Sequence, residues 1–369
     1  MALEPFLGTG AQKAFFFTVI IQAIVVLTMV GITYGMVAGE DLFDTSVRYK
    51  TLPCYLALFA LAEIFEVFMV FDALRLRNII QLFGVTSFHL ALMVIGAIQV
   101  PQTRDALVSR SAAECARRFD WIECDGPGTL FWRVRPFLIV APVIIGVSLL
   151  ILGWYLKELY SEFGWAIFHV VGANPRMKTM YQYYQIMICL LKFDFFFFTG
   201  VTMQLLILVL KSSSAEFGIT VAAIPIVLIL LVLCGLAVQR EIKWIMSISL
   251  VMMLASLSYL RIYAHGVARG QLTSYFIPVY KLVRFYQPQN AELYSTTRAS
   301  LTIFTIVAFL LLFTSFGIGL RCFFDFDKGL APSKIHSAPT KRPPLQSKES
   351  SGLKPDTSGI PLGPRISIE

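Results

Sequence analysis

Charge is what this 369-residue chain lacks: Asp, Glu, Lys and Arg together make up 15% of it, against about 25% in an average soluble domain. With 57% hydrophobic and 14% aromatic residues, too few charged side chains remain to cover a soluble surface, and lipid is the expected solvent. Catalytic signatures are missing as well. No H-E-x-x-H, P-loop, G-x-S-x-G or paired C-x-x-C occurs, and the four histidines are far apart in sequence. The chain therefore reads as a non-enzyme with no catalytic residue, no metal site and no cofactor. Its three asparagines, Asn78, Asn174 and Asn290, all fall outside an N-x-S/T sequon, so N-glycosylation is not expected. Nor does the net charge of +8 point to nucleic acid, because eight of the 31 Lys and Arg lie in the last 49 residues and most others border apolar runs. Membrane proteins place charge in this way, at helix ends and on tails facing anionic lipid.

What the chain has instead is long apolar runs. A spanning helix needs roughly 20 mostly apolar residues, and eight stretches qualify, near 14–37, 52–71, 78–100, 136–156, 186–210, 218–238, 244–264 and 299–320. They lack the period-two alternation of a membrane barrel. The expected fold is an all-α polytopic transmembrane helix bundle of about eight spans. A short segment 1–13 precedes the membrane domain 14–320, and a basic Pro/Ser-rich tail 321–369 follows it. The first run is too long for a cleavable signal peptide, and its Gly31, Gly35 and Gly39 suit close packing against a neighbouring helix. Segment 157–185 is too mixed to span and resembles an interfacial stretch broken at Gly172 to Pro175. The connection 265–298 reads as interfacial or re-entrant. The tail, with seven Pro and seven Ser, reads as disordered and cytosolic, with Ser347, Ser350 and Ser351 as candidate phosphorylation sites.

Eight spans put both termini on one side, and the Lys/Arg bias favours the cytosol for it. The 101–135 loop then faces a lumen or exterior, where disulfides persist. It holds the two clearly extramembrane cysteines, Cys115 and Cys124, which are a candidate disulfide. Cys54, Cys189 and Cys234 read as small apolar packers, and Cys322, just past the last span, as a candidate for S-palmitoylation.

The informative residues are charges where lipid should be. Glu63 and Glu66 lie three apart in the second span and so share a face; Lys192 and Asp194 lie in the fifth. Each such charge costs at least about 2.5 kcal/mol at a helix centre, so it should face the protein interior. Counted from the helix ends, all four can occupy one layer, roughly 8 to 12 Å inside. One reading is a buried ionisable cluster that exchanges protons or holds an ion. The other is a Lys192–Glu66 or Lys192–Glu63 pair that fixes helix packing. His89, near the middle of the third span, is a proton-relay candidate, although a lone histidine between helices is more often a hydrogen-bonded packing residue.

At these residues the chain resembles the fungal UPF0658 family of Golgi apparatus membrane proteins. The resemblance rests on FDALRLRNIIQLFG at 71–84, GANPRMKTMYQYYQIMICLLKFDFFFF at 172–198 and RASLTIF at 298–304, spread over residues 14–325. It implies a multi-pass protein of the Golgi membrane and no particular chemistry. Two function classes follow. One is a membrane organiser or receptor whose cytosolic tail recruits trafficking partners; the other is an ion- or proton-coupled transporter using Glu63, Glu66, Lys192 and Asp194. The lipid bilayer is the expected partner of either.

Overall fold

The computed structural model describes residues 7–40, 49, 51–171, 174–208, 215–266 and 298–328. Among the described residues there are no strands. There are eight long helices, namely α1 (Gly10–Ala38), α2 (Thr51–Arg75), α3 (Ile79–Leu107), α5 (Leu130–Val171), α6 (Pro175–Leu208), α7 (Ala215–Arg240), α8 (Lys243–Gly266) and α9 (Arg298–Phe324), with one short helix, α4 (Ala112–Arg117). Seven are long and apolar enough to cross a membrane, and α8 adds the shorter apolar stretch Lys243–Leu254. Each of the eight expected spans thus coincides with one helix. In lipid only a helix or a closed barrel satisfies every backbone polar group, which is why unbroken apolar runs fold this way. Local chemistry sets the ends: Thr9 and Asn78 cap α1 and α3 by accepting from the amides of Gln12 and Gln81.

Two helices run longer than the bilayer. At 1.5 Å per residue, the 42 residues of α5 and 34 of α6 extend about 63 and 51 Å, against a hydrocarbon core of about 30 Å. Segment 157–185 is therefore not a separate interfacial stretch. It is the continuation of α5 and the start of α6, broken where expected: Asn174 accepts from the Arg176 amide at 3.0 Å and Pro175 opens α6. Its apolar side chains, Leu159, Phe163, Met180 and Tyr181, join the main core instead of lying on a membrane surface. Residues 267–297 and the tail from 329, with Ser347, Ser350 and Ser351, lie outside the described residues.

Residue pairs fix the helix directions. Gln12 meets Glu162 and Ser148 meets Gln22, so α1 and α5 are antiparallel. Likewise Asp194 meets Ser315, and Gln204 meets Ser300, so α6 and α9 are antiparallel. Beyond α9, Asp327 bonds through its amide to Glu241 and pairs with Lys243 in the α7–α8 turn. The start of α1, the α2–α3, α5–α6 and α7–α8 turns and the end of α9 therefore share one end of the bundle. The α3–α5 connection lies at the other.

At the centre stands α2, whose apolar window is 61% buried against 17% for α7. It packs on α1, α3 and α6. The Phe65, Phe88, Phe193 and Phe196 rings fill the α2–α3–α6 interface, with centroids 4.7–5.8 Å apart. Gly31 and Gly35 do not serve packing inside the molecule, because a Cβ at either would meet nothing within 4 Å. Cys54, Cys189 and Cys234 are buried packers, as expected. Cys322 is buried too, because α9 continues past it to Phe324 and it falls in the core cluster that also holds Met187, Cys234 and Met246. A thiol held in that core is no site for acylation, which corrects the expectation.

Candidate functional site

Four helices bring five polar side chains to one buried place. Gln22 of α1, Glu63 and Glu66 of α2, His89 of α3 and Ser148 of α5 are each between 0% and 4% exposed. The Gln22 amide donates from Nε2 to Glu63 Oε1 and Oε2 at 3.1 and 2.9 Å. Ser148 Oγ lies 3.1 Å from Gln22 Oε1 and 2.9 Å from His89 Nε2. His89 Nδ1 lies 2.5 Å from Glu66 Oε1. Among these partners, Glu66 Oε2 has none.

The hydrogen count follows from the acceptors. Nε2 of His89 sits 2.9 Å from the Ile145 carbonyl oxygen, which only accepts, so Nε2 carries a hydrogen and donates. The 2.5 Å link to Glu66 then holds one further proton. Either a protonated Glu66 donates to a neutral imidazole, or an imidazolium donates to a carboxylate. Both forms are neutral overall and differ only in where that proton sits. Glu63 has no such companion. Its partner is a neutral amide, so its ionised form adds a negative charge to a site out of water, where charge is expensive. The arrangement can thus take up or give off a proton at one carboxyl while the neighbouring pair conserves its own.

Lys192 and Asp194 belong to other places, which corrects the single-cluster expectation. Lys192 pairs with Asp72 and donates to Gln81 Oε1 at 2.8 Å, while Gln81 Nε2 bonds the Met69 carbonyl and Asp72. Lys192 and Asp72 are about one-fifth exposed, Gln81 is buried, and the three lie next to the α2–α3 turn. The reason is angular. Leu58, Phe65 and Asp72, at seven-residue spacing, form the α2 stripe that meets α6: Leu58 lies near Gly200, Phe65 stacks on Phe196, and Asp72 takes Lys192. Glu63 and Glu66 project from other faces. Asp194 points from α6 to α9 and accepts from Ser315 Oγ at 2.5 Å.

Outside the membrane, Cys115 and Cys124 form a disulfide. Around it, Arg110 pairs with Glu123 and Asp120, Arg104 with Asp125, and Trp132 Nε1 donates to Asp125 at 2.9 Å. The Arg104 guanidinium, helped by that indole, holds the Asp125 carboxyl below the usual carboxylate range. The Ser111 backbone amide and hydroxyl do the same for Glu114 in a capping box. Among the described residues no group of His, Cys, Asp and Glu could hold a metal ion.

Among the described residues, seven long apolar helices and the shorter apolar stretch of α8, packed around buried polar side chains, define an integral, multi-pass membrane protein. Over 338 residues, 88% of this chain and 90% of the relative, the sequence is 27% identical to a UPF0658 Golgi apparatus membrane protein of Schizosaccharomyces pombe, which supports placing the chain in the UPF0658 family. No family model and no solved structure matches the chain.

Proposed function

We propose that this chain is a proton-coupled carrier of the Golgi membrane, with both termini in the cytosol. One observation carries the reading. Two carboxyls and an imidazole, none exposed, are joined through Gln22 and Ser148 across four helices, and one carboxylate oxygen is left without a partner. Ionisable groups this deep in a bundle characteristically mark proton and ion pathways. Protonation at Glu63 would change the charge at a point where α1, α2, α3 and α5 meet, which links proton binding to helix packing. The relative's Golgi membrane assignment supports the location. The disulfide loop, at the opposite end from the start of α1 and the end of α9, supports the orientation, because a disulfide persists in an oxidising lumen.

A second reading has its own support. A cavity between the same four helices, one to two turns along from the network and lined by none of its residues, measures about 10 Å³, less than any organic substrate needs. That favours an organiser or receptor, acting through trafficking partners recruited by the tail. Proteoliposomes loaded with a pH-sensitive dye separate the two. On the carrier reading, an imposed pH difference dissipates through the wild-type chain and at least tenfold more slowly through Glu63→Gln and Glu66→Gln. On the organiser reading, both variants behave as wild type in the dye assay, and deletion of 330–369 abolishes rescue of a deletion strain.

A further inference from the structure

We infer that the cleft between α3 and α5 binds the acyl chain of a phosphate-bearing lipid, with Arg104 and Arg135 holding the phosphate. The two helices touch at Gly96, where a Cβ would lie 3.3 Å from the Pro142 side chain, and Val94, Ile98, Ile139 and Val143 around that contact are exposed. The groove this leaves has a volume of about 520 Å³. The side chains that line it are apolar: Val94, Ala97 and Ile98 on one side, Ile139, Pro142 and Val143 on the other. From Met93 to Val100 it runs about 10 Å along α3, the length of part of one lipid chain.

Charge stands at one end of the groove. Arg104 lies four residues beyond Val100 on α3, and Arg135 four residues before Ile139 on α5, so each is one turn from the groove on the same face as a wall residue. Both turns lie on the disulfide-loop side, where Trp132 marks the membrane–water interface. Arg135 is exposed, and its guanidinium stacks 5.2 Å from the Trp132 ring; no carboxylate among the described residues pairs with it. Arg104 is held by Asp125 through Nε and one terminal nitrogen, at 3.0 and 2.6 Å, which leaves its other terminal nitrogen free to donate. Guanidinium groups bind phosphate oxygens in pairs of parallel hydrogen bonds. A helix of another protein would have to bury Arg135 without a counter-charge, whereas a phospholipid supplies both the chain and the anion. The inference stands independently of whether the buried network carries protons.

Native mass spectrometry of the detergent-purified full chain tests it, with dioleoyl phosphatidic acid and dioleoylglycerol as probes. Wild type should retain phosphatidic acid at least fivefold more than dioleoylglycerol. Arg135→Gln should remove that preference, and Ala97→Trp, which fills the groove, should lower retention of both probes at least fivefold. Ile229→Trp, on the exposed face of α7, should change neither. Val143→Trp replaces Ala97→Trp if the latter does not fold. Equal retention of the two probes by wild type overturns phosphate recognition; wild-type retention by the groove-filling variant overturns the site.

Discussion

The 2.5 Å contact from His89 Nδ1 is what holds the Glu66 carboxyl, whereas His89 keeps the Ile145 carbonyl and Ser148 on its other nitrogen, so substitutions of the two should part company. Glu66→Gln keeps an N–H donor in place of the carboxyl proton and can still bond a neutral imidazole. It should unfold within about 1 kcal/mol of wild type. His89→Phe leaves a buried carboxyl without its partner and should cost about 3 kcal/mol. Thermal unfolding in detergent reads both, and equal losses would show that the 2.5 Å contact is not what holds this carboxyl. For Lys192 the partner to test is Asp72. Lys192→Met alone should lose about 1–2 kcal/mol, and the double variant with Asp72→Asn should recover most of it, since the pair is partly hydrated. Glu63 and Glu66 were legible in the sequence as charges inside an apolar span. Asp72 was not, because the expected span ended at Phe71 and counted it as loop. Counting along the chain set Lys192 level with Glu66, whereas it pairs with Asp72, six residues farther along α2; its direction depends on the seven-residue stripe of α2, which such counting cannot reveal. Ser148 was missed because a hydroxyl barely lowers the hydropathy of a window, and Gln22 because it carries no charge to set it apart. The one signal for Gln22 was a lone amide in an otherwise apolar run.

Elements were easier to read than partners. Hydropathy detects the part of a helix that lipid must solvate, so it placed all eight long helices yet stopped short on α5 and α6. Their charged extensions, with Lys157, Glu158 and Glu162, are helical because helix packing continues past the lipid. How closely two helices approach is a property of the pair, and it shows at Gly200. A Cβ there would lie 2.9 Å from the Phe304 ring, so Gly200→Ala should force α6 and α9 apart and destabilise by about 1–3 kcal/mol. Gly153 of α5 has nothing within 4 Å of a Cβ, so Gly153→Ala should be neutral or stabilise by up to about 1 kcal/mol through helix propensity. Melting curves of the two variants in the same detergent should move in opposite directions or differ by several degrees. A harmless Gly200→Ala would mean that α9 does not pack on α6 at this depth.

At the scale of the whole molecule, the disulfide loop is both a stability element and a marker of sidedness. The Asp125 and Glu114 carboxyls are held below their ordinary values, so their contribution to the loop's order is present above the unfolded values, about 4, and is lost as pH falls through the lower folded ones. Protection of residues 108–129 from proteolysis should therefore be flat from neutral pH to about pH 5 and fall only below about pH 4. The antiparallel α6–α9 pairing, with the Asp327 contacts to Glu241 and Lys243, places the end of α9 with the start of α1 whatever path residues 267–297 take. In sealed Golgi vesicles, tags on both termini should be cleaved by added protease. Cys115 and Cys124 should resist an impermeant maleimide added outside, even after an impermeant reductant, and react once detergent opens the vesicle and the bridge is reduced. Two protected tags with an accessible bridge would invert the orientation. One protected tag would put the start of α1 and the end of α9 on opposite faces, and the α6–α9 pairing could not then be antiparallel.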